Sequence, residues 1–421
     1  MDLKSTAATI ARKLQPVSLD LTPFEVASRC RHLAGTVFFD SALEENSSPQ
    51  HSIVAAAPSE IFKGKSLDDW QMLRGKIASR RAEGGIDQGV PSGMAAGCVN
   101  YDGSFCFGFY DGLLVYRHAD QSWLGTGDLV SQLRDDIPAP VAPLPDFTSG
   151  ITRGEFCRIV ECAKEYIAAG DIYQVNLSQQ FTAPWNGDAL QFYGALRHYS
   201  PAPYAAYLDL GGRTVLSSSP ELFLQMSGRS IRTRPIKGTR PRHADAEADE
   251  LSAYELITSP KEIAELVMIT DLERNDLGQV CDYGTVRVGE LLKLERFEQV
   301  FHLVSTVEGE LRENVDHVTA LQSCFPGGSI TGAPKKRARE IISELEPAPR
   351  GLYTGAIGYF GFNGESRFNI AIRTVIVENG IAHFHTGAGI VADSVPEKEY
   401  EETLHKAAGI LMAAERMDSA D

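Results

Sequence analysis

No stretch of this chain approaches the roughly 20 consecutive apolar residues that a membrane-spanning helix needs. The opening segment "MDLKSTAATIARKLQPVSLD" likewise lacks the apolar core of a secretory signal. The seven cysteines are odd in number and include no Cys-x-x-Cys pair and no His/Cys cluster with zinc spacing. A disulfide framework and a zinc site are therefore excluded, and the expectation is a cytoplasmic protein with reduced, mostly buried thiols. Net positive charge is missing as well: 56 acidic side chains face 40 basic ones, for a formal charge of −16. Nucleic acid and anionic membrane surfaces need a broad cationic face, so neither is an expected partner. The glycine-rich "PGGSITGAPKKRARE" (326–340) is not a nucleotide-binding Walker A loop, because Ala-Pro stands where Lys-Ser or Lys-Thr is required. Its backbone amides, and those of "HTGAGIVADS" (385–394), remain able to receive an anion.

What is present is an ordinary globular composition, 43% hydrophobic and 23% charged, punctuated by 38 glycines and 21 prolines. The segment "DDIPAPVAPLPDFTSG" (135–150) repeatedly removes backbone donors and fixes φ, so no helix or central strand runs through it. It divides a sheet-rich N-terminal companion domain (1–137), through a linker (138–150), from a larger domain (151–416). Strand-like runs such as "TVFFDSA", "HSIVAAAP", "GLLVYR", "DIYQVNLSQQF", "RTVLSSS", "IRTRPI", "GAIGYFGF", "FNIAIRTVIVE" and "IAHFHTG" alternate irregularly with helical patterns at 188–199, 259–272, 316–323, 334–345 and 396–416. Thr152 with Glu155, Ser259 with Glu262 and Ser394 with Glu397 read as capping boxes. The pattern predicts an α+β fold with large, mainly antiparallel sheets packed face to face and helices outside.

"IRTRPIKGTRPR" (231–242) places five cations in twelve residues of an acidic chain. Such a run commonly forms a solvated strand face. Here Pro235, Ile236, Gly238 and Thr239 shape a tight turn around Lys237, and lysine, unlike arginine, becomes a nucleophile on losing a proton. Two guanidiniums about 8 Å away would each disfavour the ammonium by roughly 2 kcal/mol at an effective dielectric near 20, on the order of 1.5 pKa units. Glu221, in "LSSSPELF", is a candidate proton donor if burial keeps it protonated. Glu262 and Glu265 share a helix flank, and Glu399, Glu401 and Glu402 crowd the start of another, where some acids merely complement the helix dipole.

In order along residues 150–415, "SSSPELF", "RPIKGTRPR", "ITDLERNDLG", "HLVSTVEGEL", "PGGSITGAPKKRA", "GAIGYF", "NIAIRT" and "GAGIVADS…EYEETLHKA" resemble the signatures of the chorismate-binding enzymes. "FFDSALEENSSPQHSIVAAAP" is similar, more weakly, to the family's companion domain. The resemblance implies a site for the dicarboxylate chorismate. Backbone amides around Gly387, Ala388 and Gly389, with Lys406, would hold one carboxylate, and Tyr353 and Arg373 the enolpyruvyl side. Thr239 and Ser329 would also contact substrate, and His302 would lie near the leaving hydroxyl. Magnesium would join the other carboxylate to Glu265 and Glu402, with Glu262 and Glu399 orienting its waters, and oxygen ligands with retained waters suit that ion. "PIKGT" resembles the aminodeoxychorismate synthases, whereas anthranilate synthases carry a small residue at the lysine position. The implied reaction uses Lys237 as nucleophile and Glu221 as acid, on the route to 4-aminobenzoate and folate. No cysteine sits in a G-x-C-x-G elbow, so a separate glutaminase subunit would supply the ammonia. The alternatives are an anthranilate synthase component I and a catalytically silent subunit that binds chorismate or tryptophan.

Overall fold

Two antiparallel sheets collect most of the strand-like runs, one of twelve strands and one of ten. The computed structural model describes residues 13–41, 51–81, 89–135, 144–297 and 300–416. Strands from both sides of the proline-rich segment enter each sheet. Val37–Asp40 pairs with Tyr204–Leu210 in the larger sheet, and Met94–Val99 pairs with Ala356–Gly361 in the smaller. Of the linker, 138–143 lies outside the described residues; within its remainder, Thr148–Ser149 pairs with the strand Gln174–Pro184.

The sheets face each other across an apolar layer in which Val37, Ile53 and Val215 of one meet Met94, Ala96 and Ile357 of the other. Helices cover the outer faces. Phe192, Leu196 and Ile410 pack on the larger sheet, and Leu73, Leu277 and Leu321 on the smaller. Burying each such side chain stabilises the fold by about 1.5–3 kcal/mol. Arg153–Ala168 begins with the predicted box, the Thr152 amide donating to Glu155 at 2.7 Å, and it buries Phe156, Val160 and Ala163. Five of the seven cysteines are buried and all seven are free. Among the described residues no helix is long and apolar enough to cross a membrane.

Several local expectations need correction. "FNIAIRTVIVE" is two strands rather than one: Glu365–Ile370 belongs to the smaller sheet and Thr374–Glu378 to the larger, so the chain changes sheets between them. Ser259 does cap its helix by accepting from the Glu262 amide, but Glu262 does not reciprocate and instead faces Arg240 at 3.7 Å. Ser394 caps nothing; its hydroxyl accepts from Val391 while Val395 starts the helix without a side-chain cap. Helices at Pro23–Arg29, Leu67–Ala78 and Ala246–Thr258 were not legible as periodic patterns.

One buried ion pair braces the larger sheet against its neighbours. The Arg350 guanidinium donates to Glu346 at 2.7 and 2.9 Å, to the carbonyls of Asn176 and Ile330, and to Thr354, while Glu346 accepts from the Ser178 amide. Both side chains are under 5% exposed. Arg350→Met strands an unpaired buried carboxylate and should cost about 3–5 kcal/mol in urea unfolding, and adding Glu346→Leu should restore most of the loss.

Candidate active site

The chain changes sheets twice at neighbouring places. Between Arg213–Ser219 and Leu222–Ser227 it passes through Pro220 and Glu221, and between Ile370 and Thr374 it passes through Arg373. The two crossovers bond to each other: Ser219 donates its hydroxyl to the Ile370 carbonyl at 2.6 Å, the Ile370 amide donates to the Glu221 carbonyl at 3.1 Å, and the Ser218 amide to the Arg373 carbonyl at 3.0 Å. Beside them opens a cavity of about 850 Å³. Arg373 adopts φ +48°, a conformation costly for a residue with a Cβ. Its guanidinium lines the cavity and has no hydrogen bond or ion pair among the described residues.

Lys237 enters from the strand Ile236–Pro241, where the register against Val300–Glu310 shifts between Lys237 and Thr239. This bulge turns on Gly238, at φ +74°, where a Cβ would stand 2.5 Å from Leu256. Lys237, Thr239 and Glu221 all line the cavity. Burial raises the pKa of Glu221, opposed by the Ser329 hydroxyl and the Lys237 ammonium. The Lys237 charge also favours the ionised forms of Glu265 and Glu402. Those two acids, far apart in sequence, therefore face one lysine.

The arginines flanking Lys237 do not form the bare cationic field that their spacing suggested. Arg232 is held by Gln225, Arg234 by Glu295, Arg240 by Glu262 and Arg242 by Asp249. The run is a strand pair whose guanidiniums are mostly spent on structure.

Thr239 bonds His302 Nδ1 at 3.0 Å. Burial, and then Arg373, push the His302 pKa down to about 3, so its ring is neutral at physiological pH. Tyr353 lines the same wall, and a Cβ on Gly387 would meet its hydroxyl at 2.8 Å, so the backbone there lies open to a ligand only because no side chain fills it. Lys406 bonds the Gly387 carbonyl at 3.0 Å and Glu402 at 2.7 Å. Ser329 and Gly389 also line the cavity. Ala388 does not: strand alternation turns its side chain into the apolar cluster with Phe156 and Ile341. Glu399 sits just behind the lining, 3.6 Å from the Lys261 ammonium, which also approaches Glu265 at 4.0 Å.

Among the described residues no group of three or more His, Cys, Asp or Glu is gathered closely enough to hold a metal by itself. Two oxygens nevertheless suit a hard cation: Glu265 Oε1 and Glu399 Oε2 are buried without hydrogen-bond partners. An octahedral ion that keeps waters needs only one or two such carboxylates plus a ligand oxygen. Burial works against the Glu402 charge, but the ammoniums of Lys406, Lys261 and Lys237 outweigh it and hold its pKa below the ordinary value. For Glu265 burial prevails, and its pKa is raised.

A model of the chorismate-binding enzymes matches residues 41–412. The chain belongs to that family. An aminodeoxychorismate synthase component 1 of Bacillus subtilis is 43% identical over 327 residues, covering 73% of this chain and 70% of the relative. An anthranilate synthase component 1 of Streptomyces coelicolor is 49% identical over 275 residues, covering 65% of this chain and 54% of the relative. In structure the enzyme is similar to anthranilate synthase component I from Streptococcus pneumoniae, at a TM-score of 0.76 and 30% identity over 87% of this chain and 93% of that one. It also shares the fold of the isochorismate synthase MenF from Escherichia coli, at a TM-score of 0.78 and 20% identity over 96% of this chain and 93% of that one.

Sequence reasoning missed Lys261 and His385. Both His385 ring nitrogens are buried without partners, and the ring stacks on Tyr353 at 5.2 Å. The alternation that sets Gly387 and Gly389 on the cavity side includes residue 385, and that signal was available. Burial, then His383 and Arg350, depress its pKa to about 3. A histidine held neutral stabilises the fold fully above about pH 6.5 and loses that contribution as pH falls toward 3, at about 1.4 kcal/mol per pH unit. His385→Gln should therefore flatten the acid side of the stability curve by that slope, read by denaturant unfolding at stepped pH.

Proposed function

We propose that this enzyme is the ammonia-using subunit of an aminodeoxychorismate synthase, converting chorismate to 4-amino-4-deoxychorismate. The observation that carries the reading is Lys237 in one cavity with a buried, pKa-raised Glu221. A small residue at 237 would leave that space open for attack at C2, the anthranilate chemistry. Chorismate would place one carboxylate toward the Gly387 and Gly389 backbone and Lys406, its enolpyruvyl group toward Tyr353 and Arg373, and its ring carboxylate toward Glu265 and Glu402. Magnesium, held by those two acids with Glu262 and Glu399 behind them, would when bound neutralise the ring carboxylate and polarise the ring it carries. What supports its fit is that Glu265 Oε1, on one of the holding acids, and Glu399 Oε2, on an acid behind them, are buried without hydrogen-bond partners.

The Lys237 nitrogen, acting through its lone pair, adds to C2, the ring double bonds shift, and the C4 hydroxyl leaves as water with the Glu221 proton. Ammonia then bonds C4, the electrons return, the C2–nitrogen bond breaks, and ionised Glu221 takes a proton from the new C4 ammonium. Neutral His302, fixed by Thr239, offers a hydrogen bond beside the departing hydroxyl. A glutaminase partner in the cytoplasm is the proposed source of ammonia.

Chorismate, Mg²⁺ and ammonium should yield 4-amino-4-deoxychorismate, identified by chromatography with mass spectrometry; fluorescent anthranilate as the main product would replace this reading with the runner-up. Lys237→Ala should lower formation of the amino product by at least two orders of magnitude and abolish the adduct seen by intact-protein mass spectrometry without ammonia. Glutamine alone should support no turnover by the isolated chain.

A further inference from the structure

One cation on the acidic wall of the cavity has no part in the chemistry above. Lys261, on the first turn of the Pro260–Gly278 helix, lines the cavity and sets its ammonium against acids of two helices. The nitrogen lies 3.6 Å from Glu399 Oε1, on the Pro396–Glu415 helix, and 4.0 Å from Glu265 Oε1, one turn along its own helix. Both distances permit an ion pair and exceed a hydrogen bond. The ammonium therefore balances charge without consuming lone pairs, and Glu265 Oε1 and Glu399 Oε2 stay buried with no donor.

The neighbouring acids are balanced differently. Glu402 has Lys406 at 2.7 Å, and Glu262 has Arg240 at 3.7 Å. Among the described residues Glu265 and Glu399 have no ion pair other than Lys261, and their side chains are 12% and 4% exposed. The lysine side chain is 50% exposed. Its flexible four-carbon stem can swing the charge toward solvent, a movement closed to the two buried acids. Burial works against the lysine's charge, but Glu399, then Glu265, Glu402 and Glu262, outweigh it and hold the ammonium form.

We propose that Lys261 is the resident counter-ion of the Glu265–Glu399 pair and that a divalent cation binds there by displacing it, so that this one ammonium lowers the affinity of the site for magnesium. The proposal rests on the reading of those acids as cation-holding groups. It follows from charge and space. Magnesium takes carboxylate oxygens at about 2.0–2.1 Å, well inside the separation that Lys261 keeps. Ion and ammonium therefore cannot share the pair at contact distance without strong like-charge repulsion. Removing the ammonium leaves two buried carboxylates unopposed, and a divalent ion then gains their full attraction.

Calorimetric titration of the full chain with Mg²⁺, and competition with Mn²⁺ followed by electron paramagnetic resonance, both without chorismate, read the affinity directly. Lys261→Met should tighten binding about tenfold, the effect of one half-exposed ammonium close to a divalent ion in a water-like dielectric. Lys261→Arg keeps the charge and should stay near the parent value. Adding Glu265→Gln to Lys261→Met should undo the gain, which ties the ion to this pair. Unchanged or weaker binding in a folded Lys261→Met overturns the proposal. So does a gain that survives Glu265→Gln, or the lack of measurable binding in both parent and variant. Lys261→Gln decides in its place if Lys261→Met does not fold. Tighter binding in a chain inactive toward chorismate would uphold the proposal and sink the proposed function, whereas amino product from a chain whose affinity does not change would do the reverse.

Discussion

Two crossovers side by side set where chemistry can happen in this fold. A strand that leaves one sheet for the other must break its ladder, so its backbone groups need other partners. Here the Ser219–Leu222 and Ile370–Thr374 crossovers partner each other. Their side chains then fall in the gap between sheets rather than on a pleated face. Glu221 sits on one crossover and Arg373 on the other, so an acid and a guanidinium with no partner among the described residues are fixed about the same opening by main-chain bonds. The left-handed backbone at Arg373 is the local strain this arrangement stores, and the surrounding hydrogen bonds hold it.

Around that frame, charge is supplied by elements that meet only in the folded state. Lys237 comes from a bulged strand, Glu265 from one helix and Glu402 and Lys406 from another, and each alone would be costly to bury. Together the Lys237 and Lys406 charges favour the ionised form of Glu402, and Lys237 favours that of Glu265. The wall behind them is stiffened by Arg350 and Glu346, which tie Asn176, Ser178, Ile330 and Thr354 into one network. Such rigidity suits a site whose groups must hold position before a ligand arrives.

The sheets and most long helices could be read from the sequence because alternation and 3.6-residue periodicity are local. "RTVLSSS" became the strand Arg213–Ser219 residue for residue. The crossover inside "FNIAIRTVIVE" was not legible, since both halves are apolar and only the pairing partners reveal a change of sheet. The basic run misled for a related reason: sequence shows five cations together, but not the Gln225 amide and the Glu295, Glu262 and Asp249 carboxylates, from the same sheet and two neighbouring helices, that engage the four arginines. Glu273 looked like an ordinary helix acid, and only the fold shows it against the Gly328 amide. The acidic residues contributed by two helices were brought to one cavity by the family pattern, which spacing alone could not have done.

A protein of net charge −16 can still receive a dianion because the cavity does not share the surface's sign. Glu221, Glu262, Glu265, Glu401 and Glu402 line it against Lys237, Arg240, Lys261, Arg373, Lys398 and Lys406. The six cations outnumber the five acids, and burial raises the pKa of Glu221, which favours its neutral form. The distribution is also uneven. Glu262 and Glu265 gather with Lys261, and Lys406 joins Glu402 to the Gly387 carbonyl. A carboxylate is repelled by those acids unless a cation intervenes there. A ligand carboxylate can therefore approach Glu265 and Glu402 closely only when their charge is neutralised.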